Sequence, residues 1–203
     1  VSGRFIAFEG VDGCGKSTQL QRLKERLESA GEKVVTVREP GGTHLGEAVR
    51  DILLGDDQVA ISPETQMLLF LASRVQLLEE LISPALSAGS VVLSDRFHLS
   101  TVIYQGYAGS VGEAPAADLC LAVLGDRRPD LNLILQLPVA ECKRRLGASR
   151  DRFEMNPGFQ ERVAEGFSTT VGIPGDLIVR IDGSGECEEV SDRLWQEVQR
   201  VLP

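Results

Sequence analysis

The chain has 203 residues, 42% of them hydrophobic and 25% charged, and its 30 acidic side chains outnumber 21 basic ones for a formal net charge of -9. A chain of this length buries roughly 70% of the surface it exposes when unfolded, so one compact domain is expected without a disulfide or metal staple. The acidic balance excludes a protein that coats nucleic acid or anionic lipid.

No apolar run approaches the roughly 18 residues of a membrane span, and the first nine residues lack the charged-then-apolar order of an export signal. A cytoplasmic location with no membrane partner is therefore expected. Cys14, Cys120, Cys142 and Cys187 form no CxxC pair, and His44 and His98 stand at no zinc-ligand spacing. Reduced thiols are expected. Lysine occurs only at 16, 24, 33 and 143, leaving 17 arginines. Arginine forks suit phosphate oxygens, but only their positions decide whether they serve that purpose here.

In chain order, the apolar segment 4–9 is the first expected strand and runs into Gly10-Val11-Asp12-Gly13-Cys14-Gly15-Lys16-Ser17-Thr18. A helix over 17–30, closed by Gly31, follows, and then a strand over 34–37. The spacing of Met67, Leu68, Leu71, Val75 and Leu78 predicts a long helix over 63–86, with Ser62 as N-cap, Pro63 as first residue and Gly89 as stop. A third strand, 91–93, leads to Ser94 and Asp95. A helix over 98–105, with Thr101 and Gln105 on one face, precedes segment 106–114, which reads as a mobile loop. A strand over 131–137 and a helix over 138–146 precede 147–157, a second loop dense in charge whose composition alone reads as solvated surface. A helix over 157–171, a strand over 177–181 and a helix over 186–201 complete the chain. Strands alternating with helices predict an α/β fold, a parallel sheet flanked by helices.

The segment from Gly10 to Thr18 fits GxxxxGK[ST] between a strand and a helix, the context of a P-loop. Its glycines turn backbone amides toward phosphate oxygens, and the following helix N-terminus adds partial positive charge. Lys16 is expected on the β and γ phosphates and the Ser17 hydroxyl on Mg2+. Asp12, a carboxylate in an anion-binding loop, needs a metal or an arginine between itself and phosphate. Cys14 reads as a small side chain in a tight loop more readily than as a redox switch. There is no NKxD to read guanine, so a small GTPase is excluded. A partner-driven ATPase with Asp95 as its acidic strand end remains open on the P-loop alone.

Further along, REPGGT (Arg38 to Thr43), LLFLASR (Leu68 to Arg74), DRF (Asp95 to Phe97), Ser100-Thr101 with Tyr104-Gln105-Gly106, RDRFE (Arg150 to Glu154) and IDGSG (Ile181 to Gly185) follow FEGVDGCGKST in order. This ordered set resembles the thymidylate kinases over nearly the whole chain. The resemblance implies a P-loop nucleoside monophosphate kinase fold with a five-stranded parallel sheet. It further implies a single domain over 1–203 with a lid at about 144–157, usually a homodimer, and Mg2+-dependent transfer from ATP to dTMP giving dTDP and ADP.

The same resemblance implies roles for single residues. Lys16, Arg96, Arg150 and Arg152 are the expected catalytic set. Gly10 to Thr18, with Arg145 or Arg144 stacking on adenine, are expected to bind ATP. Asp12, Glu39, Arg50, Phe70, Arg74, Arg96, Ser100, Thr101, Tyr104 and Gln105 are expected around dTMP, and Ser17, Asp12 and Asp95 around the metal. Phe70 and Arg74 lie four apart and share a helix face, the ring to stack on thymine and the guanidinium to reach O4. By periodicity alone Phe70 also reads as core. Cys14 stands where one branch of the family carries a basic residue, so the lid arginines are expected to neutralise the transferred phosphoryl group, with Phe153 and Glu154 near the acceptor. Arg50 is favoured over Arg38, whose side chain should point away from that of Glu39. Phe97 replaces the family's common Tyr or His and receives no role. A kinase of another monophosphate, such as UMP, is the near alternative.

Overall fold

The structure is a computed structural model that describes residues 3–55, 60–146 and 158–202. Five strands, β1 (Arg4–Glu9), β2 (Val34–Arg38), β3 (Val91–Asp95), β4 (Leu131–Gln136) and β5 (Ile178–Asp182), form one all-parallel sheet in the order β2-β3-β1-β4-β5. All five coincide with the expected strands. β1 is buried on both faces, as its apolar run requires. Phe5 and Ala7 face one layer, with Met67, Leu71 and Leu78. Ile6 and Phe8 face the other, with Leu20, Leu23 and Leu27.

The helices are α1 (Lys16–Ser29), α2 (His44–Leu54), α3 (Pro63–Leu77), α4 (Ser83–Ser87), α5 (His98–Thr101), α6 (Glu113–Leu124), α7 (Val139–Leu146), α8 (Phe159–Thr169) and α9 (Cys187–Val198). Ser62 caps α3 by accepting from the Thr65 amide, and Pro63 opens it. The expected 63–86 helix is bridged by a π-helical turn, Leu78–Ile82, before α4. Leu68, placed by periodicity on the apolar stripe, is 58% exposed.

Two helices had no expected bounds. Thr43 caps α2 through a 2.9 Å bond from the Gly46 amide, a cap signal followed by a helix-weakening glycine. α6 is apolar on most faces and carries Pro115 in its first turn, which blurs its periodicity. Segment 106–114 is corrected accordingly, since only residues 108–112 lie outside helix. Gly106 and Tyr107 belong to a second π-helical turn, Val102–Tyr107, that continues α5. A Cβ at Gly106 would stand 2.8 Å from the Ala116 Cβ, so this glycine serves close helix packing rather than a bend.

The register sets Phe8, Arg38 and Asp95 level across the sheet. Glu9, Glu39 and Arg96 therefore leave its carboxyl edge together. The sheet order places β3 between β1 and β2, which opens a ligand crevice at this edge.

Candidate active site

The loop between β1 and α1 needs its glycines. Gly10 has φ 133 and Gly13 φ 80, and a Cβ on either would come within 2.5 Å of a carbonyl, that of Leu135 or Cys142. Gly15 stands at the N-terminus of α1 with no side-chain cap and no acidic residue in the first turn, so the helix amides and dipole face an anion unopposed. Lys16 is buried and donates to the carbonyls of Gly10 (3.1 Å) and Val11 (3.0 Å). The Ser17 hydroxyl lies 2.6 Å from Asp95 Oδ2 at the end of β3.

These residues open onto a cavity of about 610 Å³. Asp12, Gly13, Gly15, Lys16, Ser17 and Thr18 line one end. All ten residues expected around the acceptor line the same cavity: Asp12, Glu39, Arg50, Phe70, Arg74, Arg96, Ser100, Thr101, Tyr104 and Gln105. Gly10, Val11 and Cys14 do not line it. Gly10 and Val11 act through their carbonyls, and the Cys14 side chain is buried beneath the loop. Arg145 lines the mouth and Arg144 does not. Both bond to Glu141, holding its carboxyl down at about 2.

Arg96 organises the centre. Its Nη2 donates to Asp12 Oδ1 at 2.5 Å and to the Tyr104 hydroxyl at 3.1 Å, and its Nη1 to Ser100 Oγ at 2.9 Å and the Gly10 carbonyl at 3.1 Å. The guanidinium also lies 4.9 Å from the centre of the Tyr104 ring. Arg96 is thus an arginine placed to reconcile Asp12 with phosphate. Burial alone raises the Asp12 carboxyl, but Arg96 and Lys16 outweigh it and hold the group at about 2. Burial pushes the Tyr104 phenol well above its usual range, so it remains a neutral donor.

Arg74 is held as tightly. Nε donates to Glu39 Oε1 (3.0 Å) and Oε2 (2.8 Å), and Nη2 to Glu39 Oε2 (2.6 Å), the Phe97 carbonyl (3.1 Å) and Thr101 Oγ1 (3.0 Å). Nη1 is buried without a hydrogen-bond partner among the described residues. The Cys120 thiol on α6 is near, and burial pushes it up to about 11 against the pull of Arg74. Burial raises the Glu39 carboxyl, with Arg74 opposing.

Five cavity residues lay outside the expected set, among them Pro40 and Leu146. The Phe97 ring sits 5.1 Å from the Arg74 guanidinium and packs edge-on against Phe5 at 4.8 Å, so a position given no role forms part of the floor. Arg38 lines the cavity as Arg50 does, held by Glu47 at 2.9 Å. Arg50 donates to the Pro40 carbonyl at 2.9 Å. Leu54 closes the apolar side. The signals of Phe97, Arg38 and Leu54 were an aromatic beside DR, an arginine at a strand end and the last turn of a helix, none specific by itself. Arg150, Arg152, Phe153 and Glu154 lie outside the described residues.

The family model for thymidylate kinase matches residues 8–194. The chain belongs to the thymidylate kinase family. It is 46% identical to the thymidylate kinase of Chlamydia trachomatis serovar D over 98% of this chain and all of that protein. Identity to the thymidylate kinase of a Psychrobacter species (strain PRwf-1) is 43%, covering 98% of this chain and 99% of the other. That to the Geobacter sulfurreducens thymidylate kinase is 40% with the same coverage. The sheet is thus that of a P-loop nucleoside monophosphate kinase, and the chain is an ATP-dependent kinase whose family converts dTMP to dTDP in dTTP synthesis.

Mg2+ fits the residues present. Ser17 Oγ and Asp95 Oδ2 are a pair of hard oxygen atoms beside the P-loop that would suit a cation which also takes phosphate and water oxygens. Asp12, also expected at the metal, is engaged by Arg96 and Tyr104. Among the described residues there is no cluster of three or more His, Cys, Asp or Glu able to enclose a metal unaided.

Proposed function

We propose that the cavity holds ATP on the P-loop and dTMP against α3 and the α5 helix, in line for phosphoryl transfer. The observation that most supports this is that Phe70, Arg74, Arg96 and Tyr104 line the same cavity as Lys16 and Ser17. Lys16 and the α1 amides take the donor phosphates, and Arg145 covers the adenine. Ser17 and Asp95 hold Mg2+, which when bound neutralises phosphate charge.

Arg96 takes the dTMP phosphate. That phosphate has a second pKa of about 6 and is already nucleophilic, so no general base is required. The protein's contribution is alignment, exclusion of water and neutralisation of charge. Arg150 and Arg152 close over the transferred group. Phe70 stacks on thymine, and Arg74 offers a donor to O4. Cytosine presents a 4-amino donor there and leaves the buried guanidinium unmatched. The Tyr104 ring crowds the position of a ribose 2'-hydroxyl.

The enzyme acts as a homodimer of single-domain chains in the cytoplasm. Leu45 and Ile52 on α2, Leu68 on α3 and Leu119 on α6 are apolar and exposed on neighbouring helices, which supports a face between copies. Four free cysteines suit a reducing compartment. ADP release measured with dTMP, dUMP, UMP and dCMP tests the reading. dTMP should be turned over fastest, and a preference for dCMP or UMP rejects the thymine assignment.

A further inference from the structure

Glu9 ends β1 as a fully buried carboxylate beneath the cavity, and nothing above assigns it a part in the reaction. Three donors converge on it. Oε1 accepts from the amides of Phe97 (2.9 Å) and Ser100 (3.2 Å), and Oε2 accepts from the Ser100 hydroxyl (2.6 Å). A hydroxyl carries one proton, and that of Ser100 is committed to Glu9. Its lone pairs are therefore what Arg96 Nη1 meets at 2.9 Å. With the proton turned the other way, two donors would face each other.

The backbone gives a second, independent link. Arg96 has φ 71, a left-handed conformation uncommon outside glycine that persists only where its surroundings enforce it. On its near side the Arg96 amide donates to the Phe8 carbonyl at 2.9 Å. On its far side the two amide bonds to Glu9 fix the chain within four residues. Glu9 thus clamps the turn that aims Arg96 and orients the hydroxyl that receives it.

We propose that Glu9 is a positioning residue for the acceptor phosphate, holding the Arg96 guanidinium in the cavity through Ser100 and through the turn at Arg96. This rests on the reading that Arg96 binds the dTMP phosphate. Steady-state kinetics with dTMP and ATP varied separately test it on Arg96→Lys, Glu9→Gln, Ser100→Ala and the Glu9→Gln/Ser100→Ala pair. Glutamine keeps the shape of Glu9 but sets an amide donor among groups that need an acceptor. The two single changes should each lower kcat/KM for dTMP about tenfold, about 1.4 kcal/mol, and leave KM for ATP within about twofold. The double variant should be no worse than the poorer single one, because both cut the same link. A merely structural residue would lower the melting temperature without favouring one substrate, and its effect would multiply with that of Ser100→Ala. If Glu9→Gln does not fold, Glu9→Asp, which keeps the charge but falls short of Ser100, replaces it in the cycle. Unchanged dTMP kinetics or multiplying effects, with Arg96→Lys impaired, overturn the role of Glu9 alone. Unimpaired Arg96→Lys overturns the reading of Arg96 and this inference with it.

Discussion

Arg74 and Glu39 form a buried ion pair in which two guanidinium nitrogens meet both carboxylate oxygens at 2.6 to 3.0 Å, with side chains only 1% and 4% exposed. One partner comes from α3 and the other from the turn after β2. The pair ties α3 to the carboxyl edge of the sheet, where the cavity opens.

Removing either partner leaves an uncompensated buried charge, which costs about 3–5 kcal/mol. Glu39→Leu and Arg74→Leu should each lower the melting temperature by on the order of 10 °C in thermal denaturation. The double variant should recover most of that stability while turnover of dTMP stays lost. A double variant as unstable as the sum of the singles would show that the two side chains do not act as a pair.

Asp12 gives a pH dependence of defined sign. The folded protein holds its carboxyl at about 2 against a reference value of 3.8, so the unfolded chain takes up the proton first. The stabilisation is full above about pH 4 and is lost as pH falls towards 2, and it amounts to about 2 kcal/mol. Glu9 and Glu39 are shifted upward and contribute with the opposite sign. The quantity to measure is therefore the wild-type denaturation free energy minus that of Asp12→Asn, in chelator, from pH 2 to 6. A flat difference would contradict the Arg96–Asp12 pairing as a source of stability.

Arg150→Ala or Arg152→Ala should lower turnover by at least roughly tenfold, about 1.4 kcal/mol of transition-state stabilisation. Single-turnover kinetics at saturating dTMP separate this from binding. If neither change slows the chemical step, charge neutralisation does not come from these arginines.

Leu68 tests the shared face. Leu68→Glu places a charge where two copies would meet and should convert a dimer to monomer in sedimentation velocity. A wild-type chain that sediments as a monomer at micromolar concentration removes the homodimer reading.

Strands were legible because each is a short apolar run bounded by turn residues, and the long helix because Ser62, Pro63 and Gly89 punctuate it. α2 and α6 were not, since Gly46 and the nearly all-apolar Ala-rich segment hide the period that sequence reading uses. The residues that line the cavity were picked out by motif order rather than by periodicity, which by itself favoured a core position for Phe70. Glu9 was overlooked because a carboxylate at a strand end carries no signal until its three donors, two of them backbone amides ninety residues away, come into view.

The sequence by itself determined the parallel α/β architecture, the phosphate-binding loop and the family, because these depend on local spacing and on the order of short motifs. It also left 17 arginines ambiguous between general composition and phosphate recognition. Only the tertiary structure decided among them. The register of β1, β2 and β3 brings Arg96 onto Asp12 and Arg74 onto Glu39, while Arg22 and Arg26 on α1 meet Glu188 and Asp192 at the surface. A guanidinium's role follows from the carboxylates and the cavity it faces, and those partners are distant in sequence.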